Sequence, residues 1–309
     1  MNSHETLLTV KDLVTRFDIR SGIFRQVSHR VHAVESASFE IGVGETLALV
    51  GESGSGKSTI GRSILQLDMP RSGSVNFCGQ ELLGLSHKEL RPFRKRAQII
   101  FQDPFGSLDP RMTVGRLIAE PIIIHGEAKK DGLRERVLSL LERVDLGSEH
   151  MSRYPHAFSG GQRQRICIAR VLGLNPSLII ADESVAALDV TIQAQVINLL
   201  MDLQAEQSIS FLFISHDMAV VERIAHRVAV MYAGEIVEIG GRRDIFNNPQ
   251  HSYTKKLLGS VPVADPRQRR TSRRINIDEI PSVIHLVDYE PVHLPFRHVK
   301  DNHYVREEL

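Results

Sequence analysis

One glycine-rich stretch constrains the fold of this chain more than any other feature of its sequence. Residues 51–59 read Gly-Glu-Ser-Gly-Ser-Gly-Lys-Ser-Thr and fit the phosphate-binding pattern G-x-x-x-x-G-K-[ST]. The apolar run 46–50 before it predicts a buried strand, and residues 59–65 after it predict a helix. A strand, a glycine loop and a helix in this order are typical of a P-loop. The sequence therefore predicts a phosphate site at a helix N-terminus; the competing interpretation is an ordinary glycine-rich turn.

The residues of this loop have distinct candidate roles. Glycine lets the backbone approach a phosphate closely, and the helix N-terminus adds partial positive charge. We expect Lys57 to reach the outer phosphates and the hydroxyl of Ser58 to bind Mg²⁺. The candidate nucleotide-binding residues of the loop are Gly51, Glu52, Ser53, Gly54, Ser55, Gly56, Lys57, Ser58 and Thr59.

The composition of the chain argues against several classes of protein. A net charge of +1 over 309 residues creates no field that would attract nucleic acid or acidic lipid. The two cysteines, Cys78 and Cys167, are far apart and outside any metal-binding spacing, so we expect a reducing compartment and no disulfide framework. The first eleven residues lack a secretory apolar core, and the longest apolar runs are strand-sized. We therefore expect a soluble protein that can dock on a membrane component.

The residues ahead of the P-loop are rich in β-type sequence. They predict strands at 7–10, 15–19, 31–34 and 37–41. Such a segment could form a small antiparallel sheet over a nucleotide, with Phe17 or Phe24 stacked on adenine. The alternative is that both phenylalanines are core residues, and for Phe24 we favour that alternative.

A glutamine stands at the end of a predicted core strand. Residues 98–101 read Gln-Ile-Ile-Phe and predict a short buried strand that ends at Gln102, before the turn-forming stretch 103–110. There Gln102 could contact a metal ion or a water at the γ-phosphate; otherwise it faces solvent at the strand edge. The pattern from Thr113 to Val144 is helical, and we expect it to form an inserted subdomain.

A second glycine-rich helix start follows at residues 159–162, Ser-Gly-Gly-Gln. Ser159 can cap a helix that runs to about Leu172, where Gly173 and Pro176 end it. Its N-terminus suits an anion, but one nucleotide does not need two such sites. One interpretation is that Ser159, Gly160, Gly161 and Gln162 serve a nucleotide held by another subunit. The other is a plain capped helix start.

Polar residues follow two further apolar strands. Residues 177–183 end in Asp182 and Glu183, and residues 210–215 lead into His216. The carboxyl ends of parallel strands collect ligands, so Asp182 could hold the Mg²⁺ shell and Glu183 could polarise the attacking water. His216 could hydrogen-bond the γ-phosphate. Acids also follow strands by chance, and a histidine in another context would be structural.

These residues resemble the ATP-binding subunits of ABC transporters over about residues 7–240. The six matching motifs, in the family's order, are 51–58 as Walker A, Gln102 as the Q-loop, 159–162 as the signature, 182–183 as Walker B with the base, 187–189 as the D-loop, and His216 as the switch histidine. Residues 248–258, together with 101–104 and 107–110, are similar to the dipeptide and oligopeptide importer subgroup. Within it, the chain resembles the second half of a double cassette that imports a glutathione-like peptide.

The resemblance implies an α/β fold and a domain organisation. We expect a P-loop NTPase with a RecA-like parallel sheet core, an N-terminal antiparallel β subdomain and an inserted helical subdomain at about 103–172. The ATP-binding cassette would span residues 1–262, and residues 263–309 would form a C-terminal extension of the oligopeptide-importer type.

The resemblance also implies a mechanism that uses ATP and Mg²⁺ in a head-to-tail dimer. Each ATP would lie between the P-loop of one cassette and the signature of a second cassette. The implied catalytic residues are Lys57, Gln102, Glu183 and His216. The implied metal ligands are Ser58, Gln102 and Asp182. The implied nucleotide-binding residues are those of the P-loop and the signature, together with Phe17 and Asp189.

The implied partners are a second cassette, two membrane permeases and, indirectly, a periplasmic or extracellular substrate-binding protein. The chain would then sit peripherally on the cytoplasmic face of the inner membrane and bind no nucleic acid. The arginine-rich stretch 266–274 has no interleaved aromatic residues, which favours a solvated linker over a nucleic-acid patch. The cysteine-rich C-terminal segment of some relatives is absent, so we expect no iron–sulfur cluster.

Three residues depart from the family pattern. Phe158 stands where leucine is commoner, Ser184 follows the predicted base where proline is usual, and Ala186 replaces the usual serine. The last two concern the hydrolysis rate rather than the nucleotide site. Ser184 and Ala186 suggest one alternative, a weakly hydrolysing regulatory partner cassette. A soluble ABC-type ATPase acting on ribosomes or nucleic acid is a second alternative that stays open.

Overall fold

The structure is a computed structural model that describes residues 5–22, 25–127, 132–260 and 282–308. Its strands are β1 (Thr6–Ser21), β2 (Gln26–Gly42), β3 (Thr46–Val50), β4 (Ser72–Phe77), β5 (Gln80–Glu81), β6 (Ala97–Ile100), β7 (Leu178–Asp182), β8 (Ser210–Ser215), β9 (Arg227–Tyr232), β10 (Glu235–Gly241), β11 (Ile284–Leu286), β12 (Phe296–Lys300) and β13 (His303–Arg306). Its α-helices are α1 (Lys57–Ile64), α2 (Leu90–Arg96), α3 (Pro104–Ser107), α4 (Val114–Ile124), α5 (Leu133–Arg143), α6 (Gly160–Leu172), α7 (Val190–Gln207), α8 (Met218–Ile224), α9 (Arg242–Asn247) and α10 (Ser252–Gly259). None of the helices in these described ranges is long and apolar enough to cross a membrane.

The chain divides into two compact units. The first contains the described residues of Met1–Thr9, Glu40–Ala48 and Val75–Ser215. The second contains those of Val10–Phe39, Leu49–Ser74 and His216–Leu309. Several strands, among them β1, β2 and β3, contribute residues to both units.

Three parallel strands form the core of the first unit. The strand β7 pairs with β6 on one side and β8 on the other, with Ile180 opposite both Ile99 and Leu212. Every residue of β7 and β8 is buried, which is the near-continuous apolar pattern of parallel strands covered on both faces. Because the strands are parallel, the residues that follow β6, β7 and β8 leave the sheet at the same edge.

Helices occupy the segment between β6 and β7, where the sequence predicts an inserted subdomain. Within the predicted helical stretch from Thr113 to Val144, the described residues form the helices α4 and α5. The chain leaves α4 at Gly126, whose φ of 71° lies in the left-handed region that favours glycine. Val137 and Leu141 on α5 are fully buried.

In the second unit, the long strands β1 and β2 each join two segments that the sequence predicts separately. Asp12 and Ser36 take positive φ values of 46° and 47° within these strands. The Ser36 hydroxyl donates to the Asp12 carboxylate, 3.0 Å away, and Asp12 N donates to Ser38 Oγ at 2.8 Å. These bonds compensate two strained residues, so the strands continue past them.

The end of the chain adds strands to the second unit. The strand β13 pairs antiparallel with β10, and β11 pairs antiparallel with β2. The predicted domain limits, with a boundary between residues 262 and 263 and a helical subdomain at about 103–172, stay predictions. Phe24 and the arginine-rich stretch 266–274 lie outside the described residues.

A completely buried carboxylate, that of Glu238 on β10, connects this C-terminal part. Its Oε1 accepts hydrogen bonds from Gln250 N at 2.8 Å and from His303 Nε2 at 2.7 Å, and its Oε2 accepts one from His251 N at 3.0 Å. A buried charge is tolerated only when it is paired and hydrogen-bonded, and these three donors meet that need. Glu238 therefore joins β10 to β13 and to the start of α10.

We expect the substitution Glu238→Ala to lower the free energy of unfolding by about 3 kcal/mol, because it leaves His303 and two backbone N–H groups buried without their acceptor. Urea denaturation followed by circular dichroism measures the change. The exposed Glu307→Ala serves as the control and should change stability by less than about 0.5 kcal/mol. Equal losses in the two variants would show that the buried carboxylate does not stabilise this region.

Candidate functional site

The glycine-rich loop of the second unit surrounds the side chain of Lys57. This lysine is only 4% exposed. Its Nζ donates to Gly51 O at 2.9 Å and to Glu52 O at 2.7 Å, and it lies 3.4 Å from Ser55 Oγ. A buried ammonium needs such oxygen partners, and phosphate oxygens are stronger ones because they carry charge. The loop thus presents a cation that is already oriented for a phosphate ligand.

Two glycines of the loop are required by close packing. A Cβ at Gly51 would lie 2.2 Å from Met231 O, and a Cβ at Gly56 would lie 2.0 Å from Ala33 O. Gly56 has a φ of 104° and is the N-cap of α1, where no side chain caps the helix. The first N–H groups of α1, from Lys57 onward, are therefore not covered by a capping side chain and suit an anion. This part of the predicted site fits the phosphates of a nucleotide.

Residues outside the motif hold the loop in place. Gly234 N donates to Ser55 O at 3.0 Å, and Glu52 N donates to the phenolic oxygen of Tyr253 at 2.9 Å. The Tyr253 ring is 6% exposed and its centroid lies 4.3 Å from that of Tyr232. Burial raises the pKa of Tyr253 to about 12, so its hydroxyl stays neutral at physiological pH.

Neither Gly234 nor Tyr253 is among the site residues that the sequence predicts. Tyr253 stands 201 positions from Glu52, and no local pattern links the two. Its only signal in the sequence is its place within the subgroup segment 248–258.

The first unit brings together two residues that the sequence assigns to hydrolysis. Gln102 Nε2 donates to Glu183 Oε2 at 2.8 Å. Gln102 follows β6 and Glu183 follows the neighbouring strand β7, so the parallel sheet places both at one edge. Glu183 has a positive φ of 44°, and its N–H donates to Ile214 O at 3.0 Å. This strained, hydrogen-bonded backbone helps to orient a half-buried carboxylate that could accept a proton.

The three predicted metal ligands are all oxygen donors of the kind that Mg²⁺ prefers. Asp182 is the last residue of β7 and is 6% exposed. Gln102 directs its amide nitrogen to Glu183, which leaves its amide oxygen as the atom that could bind a metal. Ser58 lies in α1, in the second unit. Among the described residues, no group of three or more His, Cys, Asp and Glu side chains is placed to hold a metal.

The structure confirms the capped helix at the second glycine-rich stretch. Ser159 is the N-cap of α6, and its Oγ accepts from Gln162 N at 3.4 Å while Gln162 Oε1 accepts from Ser159 N at 3.1 Å. Ser159 is exposed, and Gly161 is buried. Asp189 caps the next helix, α7, by accepting from Ile192 N at 3.0 Å. Binding of a nucleotide by these residues stays a prediction.

The remaining predicted residues lie on exposed positions. His216 follows β8 and precedes Asp217, which caps α8 by accepting from Ala219 N at 2.9 Å. Phe17 lies on β1 and is 40% exposed, so its ring is accessible for stacking, but its contact with adenine stays a prediction.

One departure from the family pattern leaves a polar atom buried. Ser184 is 3% exposed, and its hydroxyl has no hydrogen-bond partner among the residues that the structure describes. At the neighbouring departure, Ala186, the backbone N–H donates to Glu183 O at 3.1 Å.

Two family models match the chain. The ABC transporter model matches residues 34–186, and the oligopeptide/dipeptide transporter C-terminal region matches residues 237–284. Among curated relatives, the glutathione import ATP-binding protein of Salmonella paratyphi A is 58% identical over 305 residues, which cover 99% of this chain and 49% of the relative. The protein of the same name from Escherichia coli is 56% identical over 303 residues, with 98% and 49% coverage. The chain thus spans about half the length of the curated relatives it matches.

Solved structures of ABC cassettes share the fold. The chain is similar to cbiO1 of Clostridium perfringens, described as part of an ABC transporter complex, with a TM-score of 0.68, 27% identity and coverage of 79% of this chain and 92% of that one. It is also similar to the ATP-binding cassette MJ0796 in a dimeric post-hydrolysis state bound to ADP and phosphate, with a TM-score of 0.67, 28% identity and coverage of 77% and 99%. These similarities confirm the predicted P-loop NTPase fold.

A pair of glycine substitutions tests the packing of the second glycine-rich stretch. A Cβ at Gly161 would lie 2.3 Å from Ile192 Cγ2, whereas a Cβ at Gly160 would meet only Leu188 Cδ2 at 3.8 Å. We expect Gly161→Ala to lower the free energy of unfolding by about 2 kcal/mol through overpacking. The matched control Gly160→Ala should stay within about 0.5 kcal/mol of the parent, since helix propensity favours alanine. Urea denaturation measures both, and equal stabilities would mean that α7 moves freely away from α6.

Proposed function

Because this chain belongs to the ABC transporter family as an ATP-binding cassette, we propose that it hydrolyses ATP to drive the uptake of small peptides through partner membrane permeases. The observation that carries the proposal is the hydrogen bond between Gln102 and Glu183 at the carboxyl edge of the parallel strands. It puts a carboxylate and an orienting amide side by side in a chain that also has a preformed phosphate loop.

In the proposed reaction, the loop around Lys57 binds the outer phosphates of ATP. The Glu183 carboxylate accepts a proton from the attacking water, whose oxygen bonds to the γ-phosphorus as the bond to the β–γ bridging oxygen breaks. Gln102 orients this carboxylate, and His216 donates a hydrogen bond to the γ-phosphate. Mg²⁺, when bound by Ser58, Gln102 and Asp182, would neutralise phosphate charge. The products are ADP and phosphate.

A second cassette is part of the proposal. The capped N-terminus of α6 exposes Ser159 and carries no acidic side chain in its first turn, which suits the phosphates of a nucleotide bound by a second cassette. Each ATP would lie between Lys57 and Ser58 of one cassette and Ser159 and Gly161 of the other. The solved relative MJ0796 is a dimer, which supports this arrangement. The second cassette could be a copy of this chain or a different one.

Exposed apolar side chains next to Gln102 in the sequence, and others at the end of α4, support contact with permeases. Phe101 is 42% exposed and Phe105 is 64% exposed, on either side of Gln102. At the end of α4, Ile123 and Ile124 are 59% and 56% exposed. Apolar groups of this size on a surface mark interaction sites. We propose that a permease binds here, which would hold the cassette on the cytoplasmic face of the membrane.

The cargo is proposed from the relatives. Their name specifies glutathione import, and the C-terminal family model specifies oligopeptides and dipeptides. We therefore infer a small peptide of the glutathione type, delivered by a substrate-binding protein outside the membrane. The soluble ATPase acting on ribosomes or nucleic acid is not favoured, because these relatives are import proteins. The other alternative is that this chain is a weakly hydrolysing partner cassette. A comparison of the ATPase rate of the chain alone with that of the assembled pair tests it.

The substitution Glu183→Gln tests the hydrolytic role. We expect at least a 100-fold loss of steady ATP hydrolysis, because the amide cannot accept the proton of the attacking water. The affinity for a fluorescent ATP analogue should stay within about threefold, since the P-loop is unchanged. The exposed Glu222→Gln is the control and should hydrolyse ATP at the parental rate. Unchanged turnover in Glu183→Gln would remove Glu183 as the base.

The transport role is tested in proteoliposomes that contain this cassette, its permeases and the binding protein. We expect glutathione-loaded binding protein to stimulate ATP hydrolysis and to drive uptake of radiolabelled glutathione. The substitution Lys57→Ala should abolish both, because the loop loses the ammonium that binds the phosphates. Stimulation by a dipeptide but not by glutathione would reassign the cargo. Co-purification with ribosomes rather than permeases would contradict the transport role.

A further inference from the structure

We propose that Tyr253 is a positioning residue for the nucleotide: its hydroxyl fixes the Gly51–Glu52 peptide and so keeps the P-loop in the shape that accepts ATP. The inference rests on the proposed function in that its ligand is MgATP. It assigns to the region matched by the transporter C-terminal model, residues 237–284, a direct part in nucleotide affinity.

The Gly51–Glu52 peptide is held from both of its sides. Its carbonyl oxygen accepts from Lys57 Nζ at 2.9 Å, and its N–H donates to Tyr253 Oη at 2.9 Å. The C=O and N–H of a trans peptide point in opposite directions, so these two bonds together resist rotation of the peptide plane. Gly51, with a φ of 154°, has little intrinsic resistance to such rotation.

Rotation of this peptide would affect phosphate binding through Lys57. The ammonium is placed by Gly51 O, Glu52 O and Ser55 Oγ, and the first two of these oxygens flank the clamped N–H. If Glu52 N loses its acceptor, the carbonyls on either side can turn away and the ammonium loses its fixed position. Binding ATP would then have to order the loop again, and that cost reduces affinity.

The tyrosine itself is held rigidly. Its ring is buried against Tyr232, and Tyr253 N donates to Nδ1 of His251, the N-cap of α10, at 3.1 Å. Glu238 in turn accepts from the backbone N–H groups of Gln250 and His251 and from the His303 ring. The hydroxyl is therefore connected through α10 to a completely buried carboxylate rather than to a mobile surface segment.

The test is Tyr253→Phe, which keeps the ring and removes only the hydroxyl. We expect the Kd for MgATP and the KM for ATP to rise about five- to tenfold, as expected for one lost hydrogen bond to a partly buried N–H group, with kcat within twofold of the parent. We expect KM to change and kcat to stay nearly constant, because Tyr253 affects ATP binding while the proposed chemical step is carried out by Gln102 and Glu183. Hydrogen–deuterium exchange at the Glu52 amide should accelerate at least tenfold. Tyr304→Phe, on β13, is the matched control and should change none of these quantities.

The outcomes separate this inference from the proposed function. Equal Kd and KM in Tyr253→Phe and the parent would overturn the inference, and so would a loss confined to kcat. Failure of the parent chain to bind MgATP would overturn the proposed function, while the exchange rate of the Glu52 amide would still decide whether Tyr253 holds the peptide. Identical circular dichroism spectra of parent and variant show that both are folded. If thermal unfolding of the variant begins below the assay temperature, Kd, KM and the exchange rate measured at 10 °C decide between these outcomes.

Discussion

The nucleotide-binding part of this protein depends on the contact between a buried lysine ammonium and the oxygen atoms of the loop around it. A buried charge is stable only among close partners, and the loop supplies Gly51 O, Glu52 O and Ser55 Oγ to Lys57. These oxygens can surround the ammonium only if the loop follows its observed path. That path leaves no room for a Cβ at Gly51 or Gly56, and it needs Gly234 and Tyr253 as partners for Ser55 and Glu52. The protein's own groups thus fix the shape of the loop in which we propose that phosphate binds.

The two residues proposed to act in hydrolysis, Gln102 and Glu183, depend on a different constraint, the parallel pairing of β6, β7 and β8. Parallel strands bring their carboxyl ends to one edge, and Gln102 and Glu183 follow adjacent strands there. The buried apolar runs of these strands fix their register, because a slip would carry polar residues into the core. The left-handed backbone at Glu183 then orients the carboxylate, and its N–H is satisfied by Ile214 O.

Prediction from the sequence succeeded where the signal is local and failed to connect distant parts. The helix that begins at Ser159 was predictable because Ser159 and Gln162 form a capping box within one turn. The continuity of β1 was not predictable, because Asp12 keeps its left-handed backbone through bonds to Ser36 and Ser38 on another strand. The helical character of the stretch from Thr113 to Val144 was predictable, but periodicity alone does not show where α4 ends and α5 begins.

A P-loop, a capped glycine-rich helix start and acids after core strands are each recognisable within a few residues of the sequence, because each pattern is local. Which of these groups lie side by side depends on how the chain folds. The pairing of Gln102 with Glu183 requires a sheet that joins strands 81 positions apart, and the bond from Glu52 to Tyr253 spans 201 positions. The physical reason is that a hydrogen bond depends on distance in space. A local pattern reveals such distances only within one helix or turn, while those between distant segments depend on the packing of the core.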